Sequence, residues 1–387
     1  MKEKRNLLWI FLFLIIFING FEAGGYQASL YSIGKTYDLS ITNMGIFASV
    51  ELFATMLAPI ILGSWADRTD KTKCILILLT IQTVFAATIF VSSIEMLFVV
   101  GIFFLGMTTS ALQFISIAAL AEVYSVSSKR KIGFMTSMYA FGALVAPLVV
   151  NFYLNRGLSW KTLFLTLSIG SAIAIAGTVF TRNAAWEQEK TAEQDGKSAA
   201  GFVIIGVLLL CVIMCIYVGF ENGFAFFVDT LFTDVLNSSL GKFALSLFWA
   251  VMIPSRVLVG LFSKHSKKIL IAAIVAIPVF TIAIANVSQE MAVMLLCVPL
   301  GFACGAIYPC VLNVLMNYSG NRKATATAMI TVSTGIGGVV FTAFTGVLAE
   351  SFGIAQAMMI LSSCFIVSLA AALTAVFGER LFIKNQK

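Results

Sequence analysis

The chain has 387 residues, of which 60% are hydrophobic and only 11% charged. A soluble domain carries about a quarter of its residues charged, so this composition excludes a soluble enzyme, a nucleic-acid-binding domain and a disordered chain. The formal charge of +7 does not point to nucleic acid either. Lys and Arg are concentrated in short loops between apolar runs, where they orient membrane spans.

Windows of about 20 apolar residues can cross the hydrocarbon core as helices. Twelve such windows follow one another, at 7–34, 43–64, 74–94, 96–124, 132–153, 160–181, 201–231, 241–263, 268–286, 290–317, 324–349 and 354–377. The first follows Met1-Lys2-Glu3-Lys4-Arg5 and runs on past the apolar region of a signal peptide, so it reads as a retained span. With the N-terminus inside, twenty of the 25 Lys and Arg fall on the inner side and four on the outer, while Arg256 lies within a span. That asymmetry predicts that both termini are cytoplasmic, and the expected location is a bacterial cytoplasmic membrane.

The longest polar stretch, Arg182 to Ser198, divides the spans six and six. The expected organisation is a six-helix bundle over 1–181, a cytoplasmic linker over 182–200 and a second bundle over 201–387. The halves echo one another: Gly20-Phe21-Glu22 returns as Gly219-Phe220-Glu221, Gly63 as Gly260 and Arg130-Lys131 as Arg322-Lys323, at separations of 199, 197 and 192 residues. Three ordered matches at nearly constant spacing predict two parallel repeats.

The loop after span 2 reads Gly63-Ser64-Trp65-Ala66-Asp67-Arg68-Thr69-Asp70-Lys71-Thr72-Lys73. It resembles the signature loop of the major facilitator superfamily, with Asp70 where that pattern carries glycine. The resemblance implies an all-α membrane protein of twelve transmembrane helices, in two six-helix bundles related by pseudo-symmetry. Tyr217 to Glu221, Phe248-Trp249 with Arg256 and Gly260, and Gly305 to Pro309 are similar to segments of the fucose–proton symporter group and related sugar porters. Two positions depart from the drug–proton antiporter pattern: Ile102 stands where those proteins have an arginine, and Gly142 is followed by Ala146-Pro147 instead of glycine-proline.

Ionisable groups inside a bilayer are costly, so those present are candidates for function. They are Glu22, Glu51, Glu221 and Arg256, with Asp229 near an outer end and Glu122 near an inner end. At a rise of about 1.5 Å per residue, the three glutamates sit at similar depth in the outer half and Arg256 lies about two turns deeper. Carboxylates held together away from water do not all stay ionised, so Glu22, Glu221 and Glu51, with Arg256, are the expected proton-coupling residues.

The family resemblance implies that spans 1, 4, 7 and 10 line a central cavity. Polar and aromatic side chains at helical spacing supply the expected substrate contacts: Asn19, Tyr26 and Gln27 in span 1, Gln113 in span 4, Asn222 and Phe226 in span 7, and Tyr308 and Asn313 in span 10. Tyr139 and Trp249 add walls from spans 5 and 8. Amides and hydroxyls beside aromatic faces suit a sugar or polyol, whereas carboxylates beside aromatics also suit an organic cation. Asp67, Arg68 and Lys71 resemble the family's inner gate, where charge pairs hold the halves together.

The expected function is therefore a secondary active transporter that moves a small polar solute, sugar-like in the first instance, by alternating access with proton coupling. The alternative is a proton-coupled exporter of organic cations or drugs. The expected partners are the small-molecule substrate, protons (or sodium, which carboxylates also serve), and the lipid bilayer, with no nucleic acid and a monomeric state. No cofactor or metal is expected. His265 is the one histidine, and the seven cysteines are odd in number and lie in or beside apolar runs, which excludes a disulfide framework. No phosphate-binding loop or paired nucleophile and base is present, so the chain is not expected to be an enzyme.

Overall fold

The structure, a computed structural model, describes residues 2–123, 128–181, 202–320 and 322–378. The expected linker 182–200 and the side chains of Asp67 and Glu122 lie outside the described residues. Among those described there is no strand. The first six helices are α1 (Lys2–Tyr37), α2 (Ile41–Arg68), α3 (Lys71–Val91), α4 (Glu95–Val123), α5 (Ser128–Asn155) and α6 (Thr162–Thr181). The rest are α7 (Ile204–Thr230), α8 (Gly241–Leu261), α9 (Ser266–Asn286), α10 (Glu290–Leu315), α11 (Lys323–Phe352), α12 (Ile354–Ser363) and α13 (Phe365–Phe377).

Among the described residues, 12 helical segments are long and apolar enough to cross a membrane, and α12 and α13 together make the last. The sequence reads that last span as one helix, whereas the helix is interrupted at Cys364. A π-helical turn, Leu231–Val235, extends the seventh span beyond its expected end. In hydrocarbon a backbone group has no water to bond, so each span must satisfy its own N–H and C=O groups by being helical. All six prolines of the chain lie inside helices: Pro59, Pro147, Pro254, Pro278, Pro299 and Pro309. In water an internal proline costs a helix about 3 kcal/mol, but neighbouring helices make it tolerable in a membrane bundle.

The chain forms two compact units. One comprises Met1–Ile33 and Val50–Gln194, the other Gly34–Ser49 and Asp195–Lys387. Each is organised by close helix crossings at glycines. In the first unit, a Cβ at Gly20 would fall on the Tyr139 backbone, and one at Gly142 on the backbone of Phe17, Gly20 and Phe21. In the second, a Cβ at Gly219 would meet the Gly337 carbonyl and the Phe341 ring, and one at Gly337 the Cys215 backbone. The crossing of α1 on α5 therefore recurs as the crossing of α7 on α11.

A second crossing repeats in the same way. Gly106 of α4 packs on the backbone and Cγ of Glu51 in α2, and Gly305 of α10 packs on the Met252 backbone in α8. Gly106 and Gly305 are 199 residues apart, the spacing that also separates Glu22 from Glu221. The internal repeat is thus a repeat of helix contacts as well as of letters. The second unit adds hydrogen bonds between its segments: Ser255 Oγ of α8 donates to the Phe302 carbonyl of α10 at 2.6 Å, and the hydroxyl of Tyr318, in the turn after α10, donates to the Ala375 carbonyl of α13.

The loop between α2 and α3 has a simple physical basis. Asp70 has φ −54° and ψ 124° and caps α3, its side chain accepting from the Lys73 N–H at 2.9 Å. Aspartate is a favoured helix N-cap, and no left-handed residue is required there, so glycine is dispensable. Lys71 Nζ donates to the Ala66 carbonyl at 2.8 Å, which ties the loop to the end of α2. Gly63 and Gly260, by contrast, have open space where a Cβ would stand.

Adding a methyl group at Gly142 or Gly337 is expected to lower stability by about 1–3 kcal/mol, as overpacking does, and Gly260→Ala to change it by less than about 0.5 kcal/mol. Thermal unfolding of the detergent-solubilised protein, followed by size-exclusion retention, checks this ordering.

Candidate functional sites: buried carboxyls in each unit

The first unit buries an acidic pair. Glu22 of α1 is fully enclosed and Glu51 of α2 is 3% exposed, and the two carboxyls stand within hydrogen-bonding reach of one another. Gly106 makes the pair possible, since a side chain at that point of α4 would displace Glu51. Tyr26, one turn along α1, stands beside both carboxyls. One oxygen of each carboxyl, Glu22 Oε1 and Glu51 Oε2, is buried and has no hydrogen-bond partner.

Behind the pair runs a buried chain of neutral polar groups. Thr109 Oγ1 of α4 donates to Glu22 Oε2 at 3.4 Å. Asn19 Nδ2 of α1 donates to the Thr109 carbonyl at 2.9 Å. Gln82 Nε2 of α3 reaches both Asn19 Oδ1 at 3.3 Å and Thr109 Oγ1 at 3.4 Å. Ser171 Oγ of α6 closes the chain on Gln82 Oε1 at 3.0 Å. Five helices are joined through side chains that are all buried. Gln82 and Ser171 are not among the residues expected from sequence. The signal was available, because a lone amide such as Gln82 inside an apolar run must find partners in a bilayer.

The second unit answers its carboxylate differently. Glu221 of α7 is 7% exposed, and the Tyr217 hydroxyl lies beside it one turn back on the same helix. Arg256 of α8 acts on Glu221, Tyr217, Cys304 and Tyr308, and its Nε is buried without a hydrogen-bond partner. The depth count sets Arg256 about two turns deeper than Glu221, yet its long side chain brings its charge to bear on the carboxylate. Near the end of α7, Asp229 and Lys242 form a buried ion pair at 2.6 Å, with Gly241 packed directly on Asp229.

The residues expected to touch substrate have varied surroundings. Tyr26, Gln27 and Phe226 are buried, Gln113 and Tyr139 half-buried, and Tyr308 exposed. Asn19 belongs to the chain behind the acidic pair. Asn222 Nδ2 donates to the Val218 carbonyl of its own helix at 2.9 Å. Asn313 Nδ2 donates to Ser266 Oγ of α9 at 2.9 Å, a helix-to-helix contact. Trp249 is buried edge-on against Phe248, with centroids 5.9 Å apart. Of the loop residues expected at the gate, Arg68 is exposed and Lys71 is bonded to Ala66.

Membrane-crossing helices in two repeated units, each with a carboxylate in its interior, define a multi-pass membrane transport protein. Residues 12–342 match the family model of the Major Facilitator Superfamily, and the chain belongs to that superfamily of transporters. It is similar in structure to a bacterial homolog of the human lysosomal transporter Spinster (TM-score 0.80, 16% identity, 99% of this chain and 98% of that one). It is also similar to the D-xylose-proton symporter (TM-score 0.73, 14% identity, 95% and 96% coverage) and to the nucleoside transporter NupG (TM-score 0.69, 15% identity, 97% and 99% coverage). Likenesses at such low identity establish the fold. In sequence it is 24% identical over 214 residues to the Protein TsgA homolog of Buchnera aphidicola, with 54% of each chain aligned. The chain thus spans about half the length of the curated relatives it matches.

Removing one partner of a buried ion pair leaves an uncompensated charge and costs about 3–5 kcal/mol. Lys242→Met is therefore expected to destabilise the protein strongly. The double variant with Asp229→Leu is expected to recover much of the loss in the same unfolding assay.

Proposed function

We propose that this protein is a proton-coupled secondary transporter of a small polyhydroxylated solute, working by alternating access. One observation carries the reading: the internal repeat puts a buried carboxyl at the same point of each unit, Glu22 and Glu221. In hydrocarbon such a group is retained for use, as an ion or proton site. The neighbouring amides, hydroxyls and aromatic rings are of the kind that bind sugars, and the solved structures of similar fold include one described as a D-xylose-proton symporter. Coupling is then thermodynamic linkage, in which proton and solute each shift the balance of states by binding one state better. Arg68 and Lys71, with Asp67, serve as the inner gate.

A second reading, export of an organic cation, draws on the acidic pair itself. Two carboxyls near Tyr26 offer the charge and the aromatic side chain that a cation seeks.

The test is transport by purified protein in liposomes under an imposed pH gradient, against pooled sugars and pooled organic cations, with internal pH read by a trapped dye. Proton movement with the sugar pool is expected. Movement with the cation pool alone would replace the first reading by the second. Glu221→Gln is expected to abolish pH-driven uptake, and unchanged uptake would remove that residue from the mechanism.

A further inference from the structure

The polar chain behind the acidic pair has a direction, and one atom fixes it. The Thr109 backbone carbonyl can only accept, so the Asn19 side-chain group facing it at 2.9 Å is the donating Nδ2. Asn19 Oδ1 must then face Gln82, which must present Nε2 to it. That leaves Gln82 Oε1 to accept from Ser171, whose hydroxyl lies 3.0 Å away. The same Gln82 Nε2 donates to Thr109 Oγ1. The Thr109 hydroxyl, having accepted, turns its own proton to Glu22 Oε2. Glu22 Oε2 is therefore an acceptor.

Glu22 thus has a donor that favours its ionised form, whereas Glu51 Oε2 is buried with no hydrogen-bond partner. Two carboxyls share a hydrogen bond only if one of them is protonated. Since Thr109 supports the charged form of Glu22 and no donor meets Glu51 Oε2, the proton belongs on Glu51. We propose that Glu51 holds the exchangeable proton of this pair and Glu22 is the acceptor, an order imposed by Gln82 and Ser171 as positioning residues. On release, the Glu51 O–H bond breaks, its electron pair stays on the carboxylate and the proton passes to water. The proposal rests on the pair being the coupling site and goes beyond it by naming the carrier and the ion.

The arrangement suits a proton better than sodium. A hard cation collects about six oxygen ligands. Here Asn19 Oδ1, Thr109 Oγ1 and Gln82 Oε1 are each engaged by a hydrogen-bond donor, so collecting such a shell around the two carboxyls and the Tyr26 hydroxyl would disrupt that network. Among the described residues, the ionisable side chain facing the pair is Tyr26 of α1. The groups behind it from α3, α4 and α6 are the neutral Gln82, Thr109 and Ser171. In the second unit the repeat counterpart of the Glu51 contact is Met252, so this arrangement belongs to the first unit.

Infrared difference spectroscopy of the purified protein in lipid nanodiscs tests the assignment, with the carbonyl stretch of a protonated carboxyl followed as pH is stepped. The expected result is one titrating band in the parent protein, absent in Glu51→Gln and present in Glu22→Gln. Gln82→Leu keeps both carboxyls but frees the Thr109 hydroxyl, so a second band from Glu22 is expected. Should a glutamate variant not survive purification, Gln82→Leu and Ser171→Ala carry the test, because both retain the pair.

A band lost in Glu22→Gln and kept in Glu51→Gln would overturn the proposal. So would a parent band that never titrates, or one unchanged by Gln82→Leu. A band removed at fixed pH by exchanging choline chloride for sodium chloride would make the pair a sodium site. This measurement needs no solute. A protein that shows the Glu51 band yet moves no protons in liposomes would lose the transport reading and keep the proton's place.

Discussion

Backbone-to-backbone contact at a few glycines decides how each unit is built. Lipid tails are as apolar as leucine, so nothing like the hydrophobic effect presses helices together in hydrocarbon, and close packing and interhelical hydrogen bonds do that work. Gly20 with Gly142, and Gly219 with Gly337, let helices meet where any side chain would hold them apart. Gly106 and Gly305 do the same one layer over. Once α1 lies on α5 and α2 on α4, the faces that carry Glu22 and Glu51 have little choice but to meet.

The two units then settle the same electrostatic problem in different ways. A carboxylate in hydrocarbon needs a counter-charge or a proton. In the second unit Arg256 brings a positive charge to Glu221, with Tyr217 beside it. In the first unit the partner is another carboxyl, and on the proposal made above balance comes from a proton, with the hydroxyl–amide chain that ends at Ser171 behind it. The repeat thus supplies two similar frames that carry different side chains: glutamate at one crossing where the other has methionine, and Arg256 in the carboxyl surroundings of the second unit alone, among the described residues.

Much of this was legible in the sequence because a membrane restricts the choices. Twelve apolar windows, the charge asymmetry and the Gly-Phe-Glu repeat lead to the helix count and the two-part order, since only closed helices satisfy the backbone there. The buried positions of Glu22, Glu51 and Glu221 followed from the cost of charge in lipid. What escaped was relational. Spacing along one helix cannot say that Gln82 faces Asn19, or that Asp229 meets Lys242, because those pairs depend on how helices are rotated about their own axes. The depth count likewise separated Arg256 from Glu221, since rise per residue ignores the length and direction of the arginine side chain. Asn313 carries the polar signal of a binding residue, yet it is bonded to Ser266, because a helix joint and a solute contact call for the same atoms.

The position of Glu22 relative to the glycine crossing has a mechanical meaning. It follows Gly20 by two residues, so at about 1.5 Å per residue it sits about 3 Å from the point where α1 bears on α5. Near a fulcrum, large rotations make small displacements: a tilt of α1 by about 10° there would shift Glu22 by about 0.5 Å while carrying the helix ends, about 25 Å away, through about 4 Å. A lever so placed lets the helix swing without tearing the hydrogen bonds around its carboxyl, and Glu221 stands at the same distance from its own fulcrum at Gly219.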